Sequence, residues 1–252
     1  VIGAGVIGSS VALELARSGR SVVCLDKGPG AGAGSTSSSS SIIRFTYSTR
    51  DAIYTAWEAA PMWHDWAGHL GVVDPDGMAR FIPTGMIMFD APDIQVDRIT
   101  GLWDEIGIAY ERLSPAEIKR RWPAFDVGRF YPPKRVDDPE FAGEPSGELG
   151  GIYEAQAGFM DDPMLCARNL AYAARHHGAT FRFRSEVVEV LRADGRVAGV
   201  RLADGDTISA PVVVNSSRAI LYASRGNEFA AAARSAALAT RASLAAGRGS
   251  AG

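Results

Sequence analysis

The sequence predicts an α/β fold, a parallel sheet covered by helices and interrupted by an inserted α+β segment. Three observations carry that prediction. Gly3, Gly5 and Gly8 form a Gly-x-Gly-x-x-Gly turn, entered from apolar residues at Val1 and followed by Ile7, Val11, Ala12 and Leu15 at helical spacing as far as Gly19. A continuous apolar strand over residues 21–25 then ends at Asp26, so strand, turn, helix and strand make one βαβ unit whose parallel strands are buried on both faces. Beyond residue 150 the pattern resumes, with Met164, Ala167, Ala171 and Ala174 on one helix face, Gly178 closing it, and short strands after it.

The segment between is of a different kind. Residues 28–41 are almost entirely Gly, Ala and Ser, a composition that also suits a flexible linker. From Asp51 the apolar positions Ile53, Ala56, Trp57, Ala60, Trp63, Ala67 and Leu70 predict a helix that Pro61 kinks or restarts. A strand over residues 81–89, a helix over 93–106 and a short helix capped by Ser114 and Glu117 follow, with a loop over 126–150. After 151–155, a strand, the strands over 181–183, 187–191, 197–202 and 207–214 are parted by Asp194-Gly195 and Asp204-Gly205. From Ser216 the chain becomes rich in Ala, Ser and Arg and nearly free of acids, which fits either an Ala-rich helix or an out-of-frame C-terminus.

With 252 residues, 46% of them hydrophobic, the chain can bury a substantial core. A net charge of -3 offers no basic field for nucleic acid, and no run of apolar residues is long enough for a membrane span. Cys24 and Cys166 fit reduced thiols and a cytoplasmic or organellar-matrix setting. The chain opens on Val1 with most of the first strand missing, so a truncated start is expected.

Asp26 stands 18 residues after Gly8, which completes a dinucleotide-binding context of the Rossmann type. Gly3 permits the tight turn, Gly5 admits a pyrophosphate to the backbone, and Gly8 lets the helix approach the sheet. The helix N-terminus then faces the negative charge. The motif alone leaves FAD and NAD open. Val6, Ile7 and Lys27 flank these positions and are carried with them as cofactor-binding candidates.

The segment Gly34-Ser-Thr-Ser-Ser-Ser-Ser-Ser-Ile-Ile-Arg44 resembles the one by which flavoenzymes of the D-amino-acid oxidase/sarcosine oxidase family hold FAD. The resemblance spans about residues 1–215. It implies an α/β fold with a Rossmann-like FAD-binding domain, discontinuous over 1–47 and 150–215, and an inserted α+β substrate domain over 48–149, with 216–252 an anomalous tail. It implies FAD as cofactor, contacts from Ser35, Thr36 and Ser37, and an adenine contact from the backbone of Val187. Residues 158–169 are similar to the family's return crossover. Val212-Val213-Val214-Asn215 is similar to a strand near the flavin, but Ser216-Ser217-Arg218 departs from the family pattern.

Arg44 matches the second arginine of an Arg-Ile-Ile-Arg segment that pairs with the substrate carboxylate in sarcosine-oxidase-like members, while Ser41 replaces the first. A guanidinium fork matches a carboxylate through two parallel hydrogen bonds; an arginine paired with a structural carboxylate is the alternative. His176 and His177 close a helix, where charge and dipole are reason enough for them. His64 and His69 lack a third ligand beside them, and Asp161-Asp162-Pro163 reads as a helix cap. The resemblance implies hydride transfer from the carbon beside an amine to flavin, on a small-molecule amine or amino acid. A non-catalytic remnant that binds nucleotide weakly or not at all, and an NAD-binding dehydrogenase, are the competing readings.

Overall fold

A computed structural model describes residues 1–211. The strand expected through Val214 is seen as far as Ser209, and the remaining expectations, for Val212 to Asn215 and the tail from Ser216, lie outside the described residues. The elements run α1 (Val6–Arg17), β1 (Val23–Leu25), β2 (Ile42–Ile43), α2 (Arg50–His64), α3 (Trp66–Leu70), β3 (Phe81–Ile82), β4 (Met86–Phe89), α4 (Val96–Ile106), β5 (Glu111–Leu113) and α5 (Pro115–Arg121). They continue with β6 (Gly151–Glu154), β7 (Gly158–Met160), α6 (Pro163–His176), β8 (Thr180–Arg182), β9 (Val187–Ala193), β10 (Arg196–Leu202) and β11 (Thr207–Ser209).

The chain divides into two compact units. The first comprises Val1–Ser39, Leu70–Ala79 and the described residues from Asp162 onward; the second comprises Ser40–His69 and Arg80–Asp161. These bounds differ from the expected domain limits. Residues 40–47 and 150–161 group with the second unit because β2 pairs with β7 and β6 with β4 and β5.

In the first unit β1 and β8 are parallel, and Ile2 bridges Leu25 in the same sense, giving the start of the expected parallel sheet. α1 packs against α6 through small buried residues, Ala12 and Ala16 on one helix and Ala167, Ala171 and Ala174 on the other. Alanine at these sites lets the helix axes approach closely at little side-chain entropy cost. Asp162 caps α6 by accepting the Leu165 N–H at 2.9 Å, as the Asp161-Asp162-Pro163 sequence predicts, and Pro163 occupies the first turn where its missing N–H costs nothing. Buried Asn169 fixes the separate stretch Leu70–Ala79 to this helix. Its amide donates to Asp74 at 3.0 Å and to the Gly77 carbonyl at 2.8 Å, and its oxygen accepts from Ala79 at 3.0 Å. The antiparallel sheet β11-β10-β9 completes the unit, with Leu25, Val200 and Leu202 as its buried centre.

The second unit holds two three-stranded sheets, β2-β7-β3 and β4-β6-β5. The expected strand over residues 81–89 is two strands in different sheets, because Pro83 removes a donor and Gly85 adopts φ +66, so the chain turns between them. α2 and α4 cover an apolar core of Phe45, Ile53, Ala60, Trp103 and Ile152. Trp103 donates its indole N–H to the Phe45 carbonyl at 2.9 Å, and Phe45 meets Trp57 edge-on at 5.1 Å. The helix does not restart at Pro61. It continues to His64 and breaks at Asp65, whose ψ of 67 leaves the helical region. The box at Ser114 and Glu117 is closed in both directions, as expected.

A glycine cradle and a candidate substrate anchor

The glycine turn is built as the sequence predicts. Gly3 has φ +95, a backbone that side-chain-bearing residues rarely adopt. A Cβ on Gly8 would stand 1.8 Å from the Gly3 carbonyl oxygen, and one on Gly5 would stand 2.9 Å from Thr36 Oγ1. Gly5 is the N-cap of α1 and has no side chain to satisfy the first turn, which carries no acidic residue. A helix start of this kind leaves N–H donors and a partial positive charge for an anion. Ile7 sits in that first turn with its side chain exposed.

The segment after β1 folds back over this start as eight residues of consecutive turn, not as free linker. Thr36 Oγ1 accepts the Val6 N–H at 3.1 Å, and the Gly32 N–H donates to the Ala4 carbonyl at 2.8 Å. Ser37 donates to the Gly34 carbonyl at 2.9 Å, while the exposed side chain of Ser35 lies on the same turn. Asp26 ties these pieces together. One carboxylate oxygen accepts the Ala4 N–H and the other the Gly28 N–H, each at 2.6 Å. The sequence places Asp26 in the dinucleotide-binding motif; the structure adds a scaffold role, with lone pairs left over for hydroxyl donors. Lys27 pairs loosely with Glu186 at 3.7 Å, and Val187 opens β9 opposite Leu202. Beneath the turn, burial pushes the Cys24 thiol up to about 11, and its Sγ lies 3.5 Å from the Gly3 carbonyl, so it is a structural thiol.

These residues fit a dinucleotide. The cradle is backbone-lined, a Cβ at two of its glycines would fill it, and the donors and Asp26 are arranged for phosphate and hydroxyl groups. Gly3, Gly5, Val6, Ile7, Gly8, Asp26, Lys27, Thr36, Ser35, Ser37 and Val187 all belong to the first unit.

Arg44 belongs to the second unit and follows β2 directly. Its Nη1 donates to the Thr46 carbonyl at 2.6 Å and to the Thr46 hydroxyl at 2.5 Å, and its guanidinium lies 5.0 Å from the Tyr47 ring centre. No carboxylate is among these partners. Ser41, at φ 49, donates its hydroxyl to the Met160 carbonyl at 2.9 Å, fastening the other end of β2.

Of the histidines, His64 stacks on Phe81 at 4.4 Å, His69 lies against Trp66, and His176 and His177 contact each other at the end of α6. Among the described residues no group of three or more His, Cys, Asp and Glu side chains could hold a metal. Sequence reasoning missed Glu154, a wholly buried carboxyl in β6. Its signal was present, since the two-residue period of a strand puts Glu154 on the same face as the apolar Ile152.

The family model described as FAD dependent oxidoreductase (DAO) matches residues 1–228. The chain belongs to that family. FAD is therefore the cofactor of the family to which this cradle belongs, and the DAO assignment favours it over NAD. Among solved structures, the fold is similar to L-proline dehydrogenase from P. horikoshii, with a TM-score of 0.69, 23% identity, and coverage of 86% of this chain and 52% of that one. It is also similar to glycine oxidase from Geobacillus kaustophilus, with a TM-score of 0.63, 23% identity and coverage of 86% and 54%. The chain spans about half the length of these proteins. A short stretch of 45 residues is 67% identical to orotidine 5'-phosphate decarboxylase from Methylibium petroleiphilum, covering 18% of this chain and 16% of that protein. Among the described residues no helix is long and apolar enough to cross a membrane.

Proposed function

We propose that this chain supplies the FAD cradle and part of the substrate-binding surface of an enzyme that oxidises a small amine or amino acid. The observation that carries the reading is the cradle itself, in which three glycines, a helix start with no capping side chain of its own, Thr36 and Asp26 converge in one unit. FAD held there would supply the acceptor for a hydride from the carbon beside the amine. Glycines 3, 5 and 8 hold the pyrophosphate against backbone donors, with Ser35, Thr36 and Ser37 as small polar walls. Asp26 and the Val187 backbone take the adenosine end. The domain reading follows, with the first unit as cofactor domain and the second as substrate domain.

Arg44 is the proposed anchor for the substrate carboxylate. Its charge is held by Thr46 and Tyr47, and among the described residues no carboxylate neutralises it, so an anionic substrate group can still gain from it. The solved structures named for proline dehydrogenase and glycine oxidase support an amino-acid substrate by fold alone. The test is the visible absorbance of the purified chain with chromatographic identification of the released cofactor. Flavin bands with FAD released near one per chain are expected; a colourless protein that takes up no added FAD overturns the reading.

A further inference from the structure

Glu154 ends β6 on the face of Ile152 and directly opposite Met86 of β4, so its side chain enters the apolar core of the second unit. It is wholly inaccessible. Oε1 accepts the Gln156 N–H at 2.6 Å, while Oε2 is buried with no hydrogen-bond partner among the described residues. Orphaned polar atoms are rare in folded proteins because each forfeits its hydration, so the bond that Glu154 does make has a use. His64, at the end of α2, approaches the same residue from the other side. Its Nε2 is 3.0 Å from the Gln156 carbonyl oxygen, which can only accept, so the imidazole donates.

Gln156 is thus held at both its backbone N–H and its C=O. One residue on, buried Ala157 accepts the Gly85 N–H at 2.9 Å, and β7 begins. β7 pairs Gly158 with Ile43 and Phe159 with Ile42, and Arg44 is the next residue of the chain. We propose that Glu154 and His64 are positioning residues, a two-sided clasp on Gln156 that fixes the start of β7 and, through it, the strand that delivers Arg44. The functional side of this proposal rests on Arg44 as the carboxylate anchor.

Hydrogen exchange of the purified chain tests the clasp directly. His64→Phe keeps the stack on Phe81 and removes the donor, Glu154→Leu removes the acceptor, and Glu154→Gln keeps an acceptor oxygen. In the first two, amides of 155–160 and of 41–44 should exchange about tenfold faster, the effect of one lost hydrogen bond. Glu154→Gln should stay near wild type, and 23–25 and 180–182 should not change. Unchanged exchange at 41–44 in His64→Phe overturns the proposal, and because His64 is exposed that variant decides even if Glu154→Leu does not fold. In the FAD-loaded enzyme, His64→Phe should raise KM for an amino acid but not for the amine that lacks its carboxylate. If Arg44→Ala shifts that KM and His64→Phe does not, the clasp fails; if Arg44→Ala itself does nothing, the anchor reading fails while exchange still judges the clasp.

Discussion

The Thr36 hydroxyl accepts the backbone N–H of Val6 at 3.1 Å, so a side chain from the Ser-rich turn caps a helix that begins thirty residues earlier. Gly5 cannot perform that cap itself. Thr36→Val preserves the side-chain shape and removes the acceptor. The expected loss is about 1 kcal/mol of stability, the usual worth of an N-cap side chain, accompanied by weaker FAD uptake. Denaturant midpoints and an FAD titration check both, and Thr36→Ser should restore them.

Gly8 and Gly5 differ in what a side chain would meet. At Gly8 a Cβ collides with backbone, the Gly3 carbonyl at 1.8 Å, so α1 must leave the turn. At Gly5 it meets the Thr36 side chain at 2.9 Å, which can shift. Gly8→Ala should therefore destabilise the first unit by about 1–3 kcal/mol or more. Gly5→Leu should fold and fail to bind FAD, since the bulk fills the space for the pyrophosphate. A thermal melt with an FAD titration separates the two; full FAD occupancy in Gly5→Leu would sink the cradle assignment.

Local chemistry made the cradle legible. A glycine turn, a helix start and an acidic residue at a strand end are fixed by neighbours in sequence, and Gly3, Gly5, Gly8 and Asp26 stand where spacing puts them. The Ser-rich segment was legible as a cofactor-contacting segment only through family resemblance, because Gly, Ala and Ser composition equally describes a linker, and its fold as consecutive turns was not foreseen. Non-local pairing hid the rest. Residues 81–89 read as one strand but serve two sheets, a choice made by β6 and β7 some seventy residues away. Pro61 was expected to kink or restart the helix, yet α2 runs through it to His64, and packing of Ala60 and its neighbours into the second unit's core outweighs the lost hydrogen bond.

Arg44 offers a sharper test of substrate chemistry. Thr46 and Tyr47 hold the guanidinium without cancelling its charge. Removing one member of a hydrogen-bonded charge pair costs about 2–5 kcal/mol, so Arg44→Ala should weaken carboxylate-bearing amines by roughly 30-fold or more and leave FAD affinity unchanged. Arg44→Lys keeps the charge and loses the fork, and should fall between. Steady-state kinetics on an amino acid and on its decarboxylated amine would show it. An unchanged KM for the amino acid in Arg44→Ala removes this residue from the site.

Glu154 gives the chain a defined pH response. Burial holds its carboxyl above the ordinary glutamate value of 4.5, against the opposing pull of the Gln156 and Ala157 amides and of His64. The folded chain thus binds this proton more tightly than the unfolded chain does. The stability it contributes is fully present below pH 4.5 and is lost as pH rises through the raised folded value. Glu154→Gln carries no charge at any pH and keeps an acceptor for Gln156. Subtracting the variant's unfolding free energy from that of wild type, across pH 4 to about 8, should therefore give a difference that falls as pH rises. Above the raised folded value the variant should be the more stable chain, because it does not have to hold a buried charge away from water. A flat difference curve would mean that this carboxyl titrates alike in both states, and that its burial carries no electrostatic cost.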